Sequence, residues 1–246
     1  MSLAPTVLYP LTLPELLNYI LTSQSNVAPT ILVICSSRDA FVQDLSAALR
    51  VEHGEDAAGG LEQLVTPTLH NLFTARLVKL AFCASVQALL AYLTAYGGSG
   101  SKPDGVLGRK ERLVLVNPLA LHAPTPSFSA QGLSRTFAAA AETALKTDAV
   151  LHVVECQGKQ RAAEEHEEHE EEGTGIFNED EECHAKVGED DPWEQQVSVL
   201  NVSARRFGSD AGGKAWVGRT VRAKRIAGRW FHFHMLEDYQ KSESRQ

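Results

Sequence analysis

The sequence has few cysteines, no long apolar run and no recognisable leader. Its four cysteines among 246 residues are far apart and form no Cys-x-x-Cys pair. That spacing argues against a zinc ribbon or a disulfide scaffold and favours a reducing compartment. No apolar run approaches the roughly 18–20 residues that a membrane-spanning helix needs. Residues 1–12 lack a basic region followed by an apolar stretch, so we expect no secretory signal and no membrane partner.

The sequence also lacks the glycines of a phosphate-binding loop. The turn at 35–41 reads Cys-Ser-Ser-Arg-Asp-Ala-Phe, without glycine and without lysine followed by serine or threonine. Backbone amides cannot easily surround a phosphate without those glycines. At the end of the apolar run 112–116, where a magnesium-binding acid is expected, the residue is the uncharged Asn117. No serine lies in a Gly-x-Ser-x-Gly turn. We therefore predict no catalytic residue, no cofactor and no enzyme activity.

The formal net charge of -8 is unevenly distributed along the chain. Residues 155–194 contain 16 acidic and 3 basic residues, a net of -13, which leaves +5 for the rest of the chain. Such a dense run of charge is typical of a disordered segment. We predict a single domain over 1–246, with a disordered acidic insertion at 155–194 and a flexible tail at 237–246. Three roles stay open for the insertion: nucleic-acid mimic, shield of basic residues, or solubilising loop.

Histidines and a cysteine within the acidic insertion have the side chains of metal ligands. His166 and His169 are spaced to share one helical turn, and Cys183 is followed by His184. These residues lack the apolar frame that holds metal ligands in place. We therefore predict no metal site.

Apolar runs alternate with helical patterns in the first 154 residues. We expect strands at 30–35, 77–82, 112–118 and 149–154, with helices at 13–21, 41–49, 86–93 and 133–145. Strands that alternate with helices indicate an α/β fold with a mostly parallel sheet between two helical layers. After the insertion we expect strands at 196–202, 220–226 and 229–234, the last two forming an antiparallel hairpin about Ala227 and Gly228.

Basic residues are concentrated near the predicted hairpin. The stretch 203–230 holds eight basic residues and one acid, with Trp216 and Trp230 interleaved. Guanidinium groups beside aromatic rings suit phosphate contacts and base stacking, whereas the alternative is a solvated hairpin face. We predict that nucleic acid binds to the basic residues Arg205, Arg206, Lys214, Arg219, Arg222, Lys224, Arg225 and Arg229.

The order of these segments resembles the RecA-type recombinase core, and above all its degenerate relatives. The segment 76–82 and the helix after it are similar to the family's middle strand and helix. The segment 112–118 is similar to its second nucleotide-site strand, and 133–154 to the helix and strand that follow. The segments 197–202 and 221–233 are similar to its final strands. The missing phosphate-loop residues and Asn117 depart from the family pattern, so the resemblance implies a scaffold without ATP chemistry.

The resemblance implies a non-catalytic accessory subunit in DNA recombination and repair, of the recombinase-paralogue or Shu type. Such a subunit would lie in the nucleus, pair with a related RecA-like subunit as a hetero-oligomer and contact DNA. One alternative is a pseudo-ATPase subunit of an Elongator-type tRNA-modification complex in the cytoplasm. Another is an unorthodox NTP-binding α/β enzyme.

Overall fold

A computed structural model describes residues 4–24, 28–52, 68–98, 110–157, 191–199 and 219–243. The strands in these ranges are β1 (Thr6–Leu11), β2 (Thr30–Ile34), β3 (Val78–Phe82), β4 (Arg112–Val116), β5 (Val150–Cys156), β6 (Gln196–Ser198), β7 (Thr220–Arg222) and β8 (His232–Met235). The α-helices are α1 (Leu13–Ser23), α2 (Arg38–Glu52), α3 (Leu69–Arg76), α4 (Val86–Gly98), α5 (Pro118–His122), α6 (Ala130–Thr147), α7 (Ala223–Ala227) and α8 (Leu236–Glu243). A 3-10 helix spans Pro192–Glu194.

Six strands form one sheet in the order β3-β2-β4-β5-β1-β8, and each neighbouring pair is parallel. Side chains alternate along β2, where Ile31 and Val33 face one core and Leu32 and Ile34 face the other. The first core packs against α4, α6 and α7, and the second packs against α1, α2 and α8. The sheet is therefore buried by helices on both faces, as parallel sheets are, and the predicted α/β class is confirmed.

Strand β1 is an element that the sequence patterns did not predict. It lies inside the sheet between β5 and β8, with Val7 and Leu8 fully buried. Pro10 weakens the strand signal because proline cannot donate to a ladder. The pairing of β1 with β5 shifts its register between Leu8 and Leu11, and this interval contains Pro10.

The predicted hairpin about Ala227 and Gly228 is wrong. Residues Thr220–Arg222 form β7, which pairs antiparallel with β6 in a separate two-stranded sheet. The next five residues form α7, and β8 pairs parallel with β1 in the main sheet. The helix forms because Ala223, Ile226 and Ala227 lie on one helical face and are buried in the first core.

Both ends of the predicted acidic insertion belong to the fold. Glu155 and Cys156 are the last two residues of β5, and Trp193 is 1 % exposed within the 3-10 helix. Residues 158–190, with the histidines weighed as metal ligands, lie outside the described residues.

The predicted flexible tail at 237–246 is corrected up to residue 243. Helix α8 spans Leu236–Glu243, and its Tyr239 is buried against the second core. The Tyr239 hydroxyl lies 3.0 Å from Nε2 of His152 in β5, so this polar contact fastens the helix to the sheet. Residue 239 reads as part of a polar stretch in the sequence, which is why the pattern failed to predict its burial.

Candidate nucleic-acid interface

Five of the eight predicted basic residues lie in the described chain. They are Arg219, Arg222, Lys224, Arg225 and Arg229, which surround α7 from β7 to the turn before β8. Arg205, Arg206 and Lys214 lie outside the described residues, as does Trp216. The structure thus gives positions for five of the eight predicted residues.

Helix α7 is held at both ends by backbone hydrogen bonds. At its start, Ala223 donates its N–H to the Gln195 carbonyl at 3.0 Å, where β6 and β7 pair. At its end, Gly228 donates to the Lys224 carbonyl at 2.8 Å. A Cβ added at Gly228 would lie 3.2 Å from that same carbonyl oxygen, so glycine fits this close turn. The buried alanines of α7 then fix which of its residues face solvent.

An aromatic cluster anchors the segments on both sides of α7. The Trp193 and Phe233 rings meet edge to face with centroids 5.3 Å apart, and the Phe137 and Phe231 rings do so at the same distance. Each contact adds to the free energy of burying large rings. The basic residues near α7 are therefore carried by a rigid part of the fold.

Glu194 neutralises part of the predicted basic cluster. One of its carboxylate oxygens lies 2.9 Å from Nη1 of Arg222, and the other lies 3.7 Å from Nζ of Lys224. The Lys224 ammonium also lies 5.2 Å from the centroid of the Tyr9 ring and 5.5 Å from that of Phe233, within cation–π range. Lys224 therefore makes ionic and cation–π contacts within the protein. The sequence pattern did not predict these contacts.

Arg225 and Arg229 carry the charge that remains. Both side chains are exposed, and neither has a hydrogen bond or ion pair within the described ranges. Arg225 lies in α7, and Arg229 lies in the turn that follows this helix. Trp230 follows directly and is 38 % exposed. Two exposed guanidinium groups and an accessible indole in the same short segment can bind phosphates electrostatically and stack on a base.

The carboxyl ends of β2 and β4 form the point where the chain connections diverge. Strand β2 continues to β3 on one side of it, whereas β4 continues to β5 on the other. Ligands of open α/β sheets commonly bind in the crevice at such a point. The residues at this edge of the sheet therefore form a second candidate site.

Asn117 at the end of β4 is tied into the backbone. It takes the left-handed conformation with φ 58°, which asparagine tolerates better than most residues. Its side-chain Oδ1 accepts a hydrogen bond of 2.7 Å from the Cys156 N–H, and its own N–H donates to the Val154 carbonyl. These bonds join the ends of β4 and β5 and give Asn117 a structural role in the turn after β4.

Glu155 lies at the same edge, although the sequence pattern predicted that it belongs to the disordered acidic insertion. Its side chain is buried, with only 4 % of its surface exposed. Its two carboxyl oxygens accept hydrogen bonds from the N–H groups of Leu119 (2.9 Å) and Ala120 (2.8 Å) in α5. Burial raises the pKa of Glu155 to about 8, although both amide bonds act in the opposite direction. Glu155 is two positions after Val153, which faces the first core. This alternation along the strand is the sequence signal that could have predicted the burial of Glu155.

The true first strand also ends in a turn without glycine or lysine. Strand β1 runs into α1 through Thr12, whose hydroxyl accepts a hydrogen bond of 3.4 Å from the Glu15 N–H. The Glu15 carboxylate in return accepts a 2.7 Å bond from the Thr12 N–H. This reciprocal cap places a carboxylate where a nucleotide phosphate would approach the helix. After β2, the Ser37 hydroxyl accepts from the Ala40 N–H in the same way.

Two further findings concern only the described ranges. No helix there is long and apolar enough to cross a membrane. No group of three or more histidine, cysteine or acidic side chains there is arranged to hold a metal ion.

The functional assignment of this chain rests on its sequence and its structure. No protein-family model and no curated protein matches this chain.

Proposed function

We propose that this chain is a non-catalytic RecA-like accessory subunit in nuclear DNA recombination and repair. It pairs with a related subunit and contacts DNA phosphates through Arg225 and Arg229. The observation that carries the DNA contact is the exposure of these two arginines without any partner in the described chain. The parallel sheet between two helical layers is compatible with the RecA-like part of the proposal.

The non-catalytic part is supported by the occupied helix starts. Thr12 and Glu15 cap each other at α1, and the Glu155 carboxyl holds the first amides of α5. A phosphate that approached α1 would meet the like charge of the Glu15 carboxylate, and one that approached α5 would have to displace the buried Glu155 carboxyl group from its amide hydrogen bonds. Isothermal titration with ATP and magnesium tests this directly. We expect no heat of binding at micromolar nucleotide, and a micromolar dissociation constant would overturn the pseudo-enzyme proposal.

The DNA contact is tested by reversing both free charges in the double variant Arg225→Glu, Arg229→Glu. Fluorescence anisotropy measures its affinity for single-stranded and duplex DNA across a salt series. Each lost phosphate contact lowers the slope of log K against log salt by about 0.9 on duplex DNA. We therefore expect the slope to fall by about 1.8 and the affinity on the order of tenfold at low salt.

The matched control reverses two basic residues elsewhere, Arg50→Glu and Lys241→Glu. They lie in α2 and α8, the helices of the second core, and the control changes the net charge by the same amount. If both double variants lose the same DNA affinity, the loss depends only on total charge, and the assigned contact is overturned. Tighter binding of transfer RNA than of DNA would instead favour the tRNA-modification subunit.

A further inference from the structure

Helix α3 presents its apolar side chains to solvent. Leu69, Leu72 and Phe73 have the i, i+3, i+4 spacing of one helical face, yet they are 76 %, 55 % and 64 % exposed. Thr74 on the same helix is 3 % exposed. Large apolar side chains grouped on one exposed helical face indicate a surface that a partner covers.

The edge strand β3 continues this apolar surface. Leu80 in its centre is 52 % exposed, while its neighbours Val78 and Phe82 on the same face pack against the second core. Helix α3 contacts both β3 and α1, so it lies on that same side of the sheet. The surface formed by Leu69, Leu72, Phe73 and Leu80 is named the α3–β3 surface below.

The backbone of β3 is open along its outer edge. Thr30 donates to the Leu77 carbonyl at 2.9 Å and Cys83 donates to the Ile34 carbonyl at 2.8 Å. In a parallel ladder, alternate residues pair with one neighbour, so the odd-numbered residues of β3 bond to β2. The N–H and C=O groups of Val78, Leu80 and Phe82 therefore point outward, where no strand of the described chain pairs with them.

The charged residues of the segment 68–98, which contains α3 and β3, have one sign, and Lys79 lies on the face of β3 opposite to that of Leu80. Residues 68–98 contain Arg76 and Lys79 and no acidic residue. Both basic side chains are exposed, and neither has an ion pair within the described ranges. A complementary ligand therefore carries acidic residues beside its apolar ones.

We infer that the α3–β3 surface binds an extended acidic and apolar segment of a partner protein, which adds a strand beside β3. Main-chain hydrogen bonds to Val78, Leu80 and Phe82 would supply its pairing, and apolar side chains would cover α3. A second copy of this chain fits less well. Antiparallel pairing of β3 with itself centred on Leu80 would place the two Lys79 side chains diagonally across the ladder, roughly 7–8 Å apart. The inference rests on the proposed role as a subunit of an assembly and assigns the surface that its partner uses.

The test selects binders from a random peptide library of about twelve residues displayed on phage, with the full chain as bait. We expect the selected peptides to alternate apolar residues and to carry acidic ones. The labelled consensus peptide is then titrated by fluorescence anisotropy. Leu72→Asp and Phe73→Asp should each weaken its binding at least about tenfold, as truncating a central contact does.

Two further variants make the test specific. Leu145→Asp is the matched control, since Leu145 is 79 % exposed on α6, which packs in the first core on the other side of the sheet. It should leave peptide binding unchanged. Leu80→Pro removes an outward N–H while sparing the bonds to β2 and should also weaken binding.

Three outcomes would overturn the inference. One is a library that yields no acidic and apolar consensus, and another is a consensus peptide that binds Leu72→Asp and Phe73→Asp as well as it binds the wild-type chain. The third is a wild-type dimer in sedimentation velocity that Leu72→Asp dissociates, because a second copy would then be the occupant. DNA binding through α7 is measured separately on the other side of the sheet. A failed peptide test therefore leaves that result standing.

Discussion

Glu155 makes the stability of this fold depend on pH in an unusual direction. Its carboxyl group is buried at the end of β5, and burial raises its pKa from 4.5 to about 8. Burial raises the pKa of the neighbouring thiols of Cys35 and Cys156, so both stay neutral over this range. Between pH 4.5 and 8 the folded protein therefore holds a proton on Glu155 that the unfolded chain has released.

The sign and size of the effect follow from proton linkage. A group whose pKa is raised on folding stabilises the protein below its unfolded pKa, and this stability is lost as pH rises through the folded pKa. The gap of about 3.5 pH units corresponds to about 5 kcal/mol in total, at about 1.4 kcal/mol for each unit. Below about pH 6.5, His152 acts in the opposite direction because burial lowers its pKa to about 3. Burial lowers the pKa of His122 as well. Above pH 6.5 both histidines become neutral in the folded and the unfolded chain, so a fall in stability from pH 6.5 to 8 comes mainly from Glu155.

The assay is urea unfolding followed by circular dichroism at several pH values from about 6.5 to 8. We expect the wild-type free energy of unfolding to fall by about 1.5–2 kcal/mol over this range. Glu155→Gln removes the titrating group and should flatten the dependence to a few tenths of a kcal/mol. Glu142→Gln, on the exposed side of α6, is the matched control and should keep the wild-type slope.

The reasoning is refuted if the wild-type stability is constant or rises from pH 6.5 to 8. It is equally refuted if Glu155→Gln and the wild-type protein lose stability in parallel, because another group would then carry the slope. If Glu155→Gln does not fold, the pH dependence of the wild-type free energy of unfolding is the test by itself. Proton release on unfolding, measured in buffers of different ionisation enthalpy, supplies an independent value for the pH dependence of the free energy of unfolding.

Two further predictions concern the polar and aromatic anchors of the C-terminal half. Tyr239→Phe removes the hydroxyl 3.0 Å from Nε2 of buried His152 and should cost about 1–3 kcal/mol in chemical unfolding; a change below about 0.3 kcal/mol would contradict the assigned contact. Trp193→Ala leaves a cavity where the side chain is only 1 % exposed, and it should cost about 3–5 kcal/mol in the same assay. Trp230→Ala, at an exposed position, is the control and should have almost no effect. Equal costs for the two variants would contradict the role of Trp193 as an anchor.

The sequence predicts the central strands well because their chemistry is uniform. Residues of β2 and β4 form continuous apolar runs, since both faces of a parallel sheet are buried. Strand β1 was not predicted because Pro10 interrupts its apolar pattern. Helix α7 was not predicted because five residues are too few to display a helical period. In these cases the surrounding packing, and not the local pattern, selects the structure.

The candidate site was only partly predictable for a different reason. Composition identifies the basic residues, and the structure shows that Arg225 and Arg229 are exposed. The pairing of Glu194 with Arg222 joins positions 28 apart in the chain, and Glu194 was counted with the acidic segment. Glu155 was misassigned to the same segment. A count of charges does not distinguish a strand residue or an ion-pair partner from a solvated acid.

The pairing of β1 with β8 has a consequence for how this chain reaches its native state. Thr6 lies opposite His232, 226 positions later, and the other neighbour of β1 is β5. Strand β1 therefore has no partner in the sheet until residues 150–156 have been synthesised, and its second partner follows only near residue 235. Contacts of such long sequence separation slow folding. During synthesis the apolar strand β1 is exposed for most of that time, and it becomes a natural site for chaperone binding.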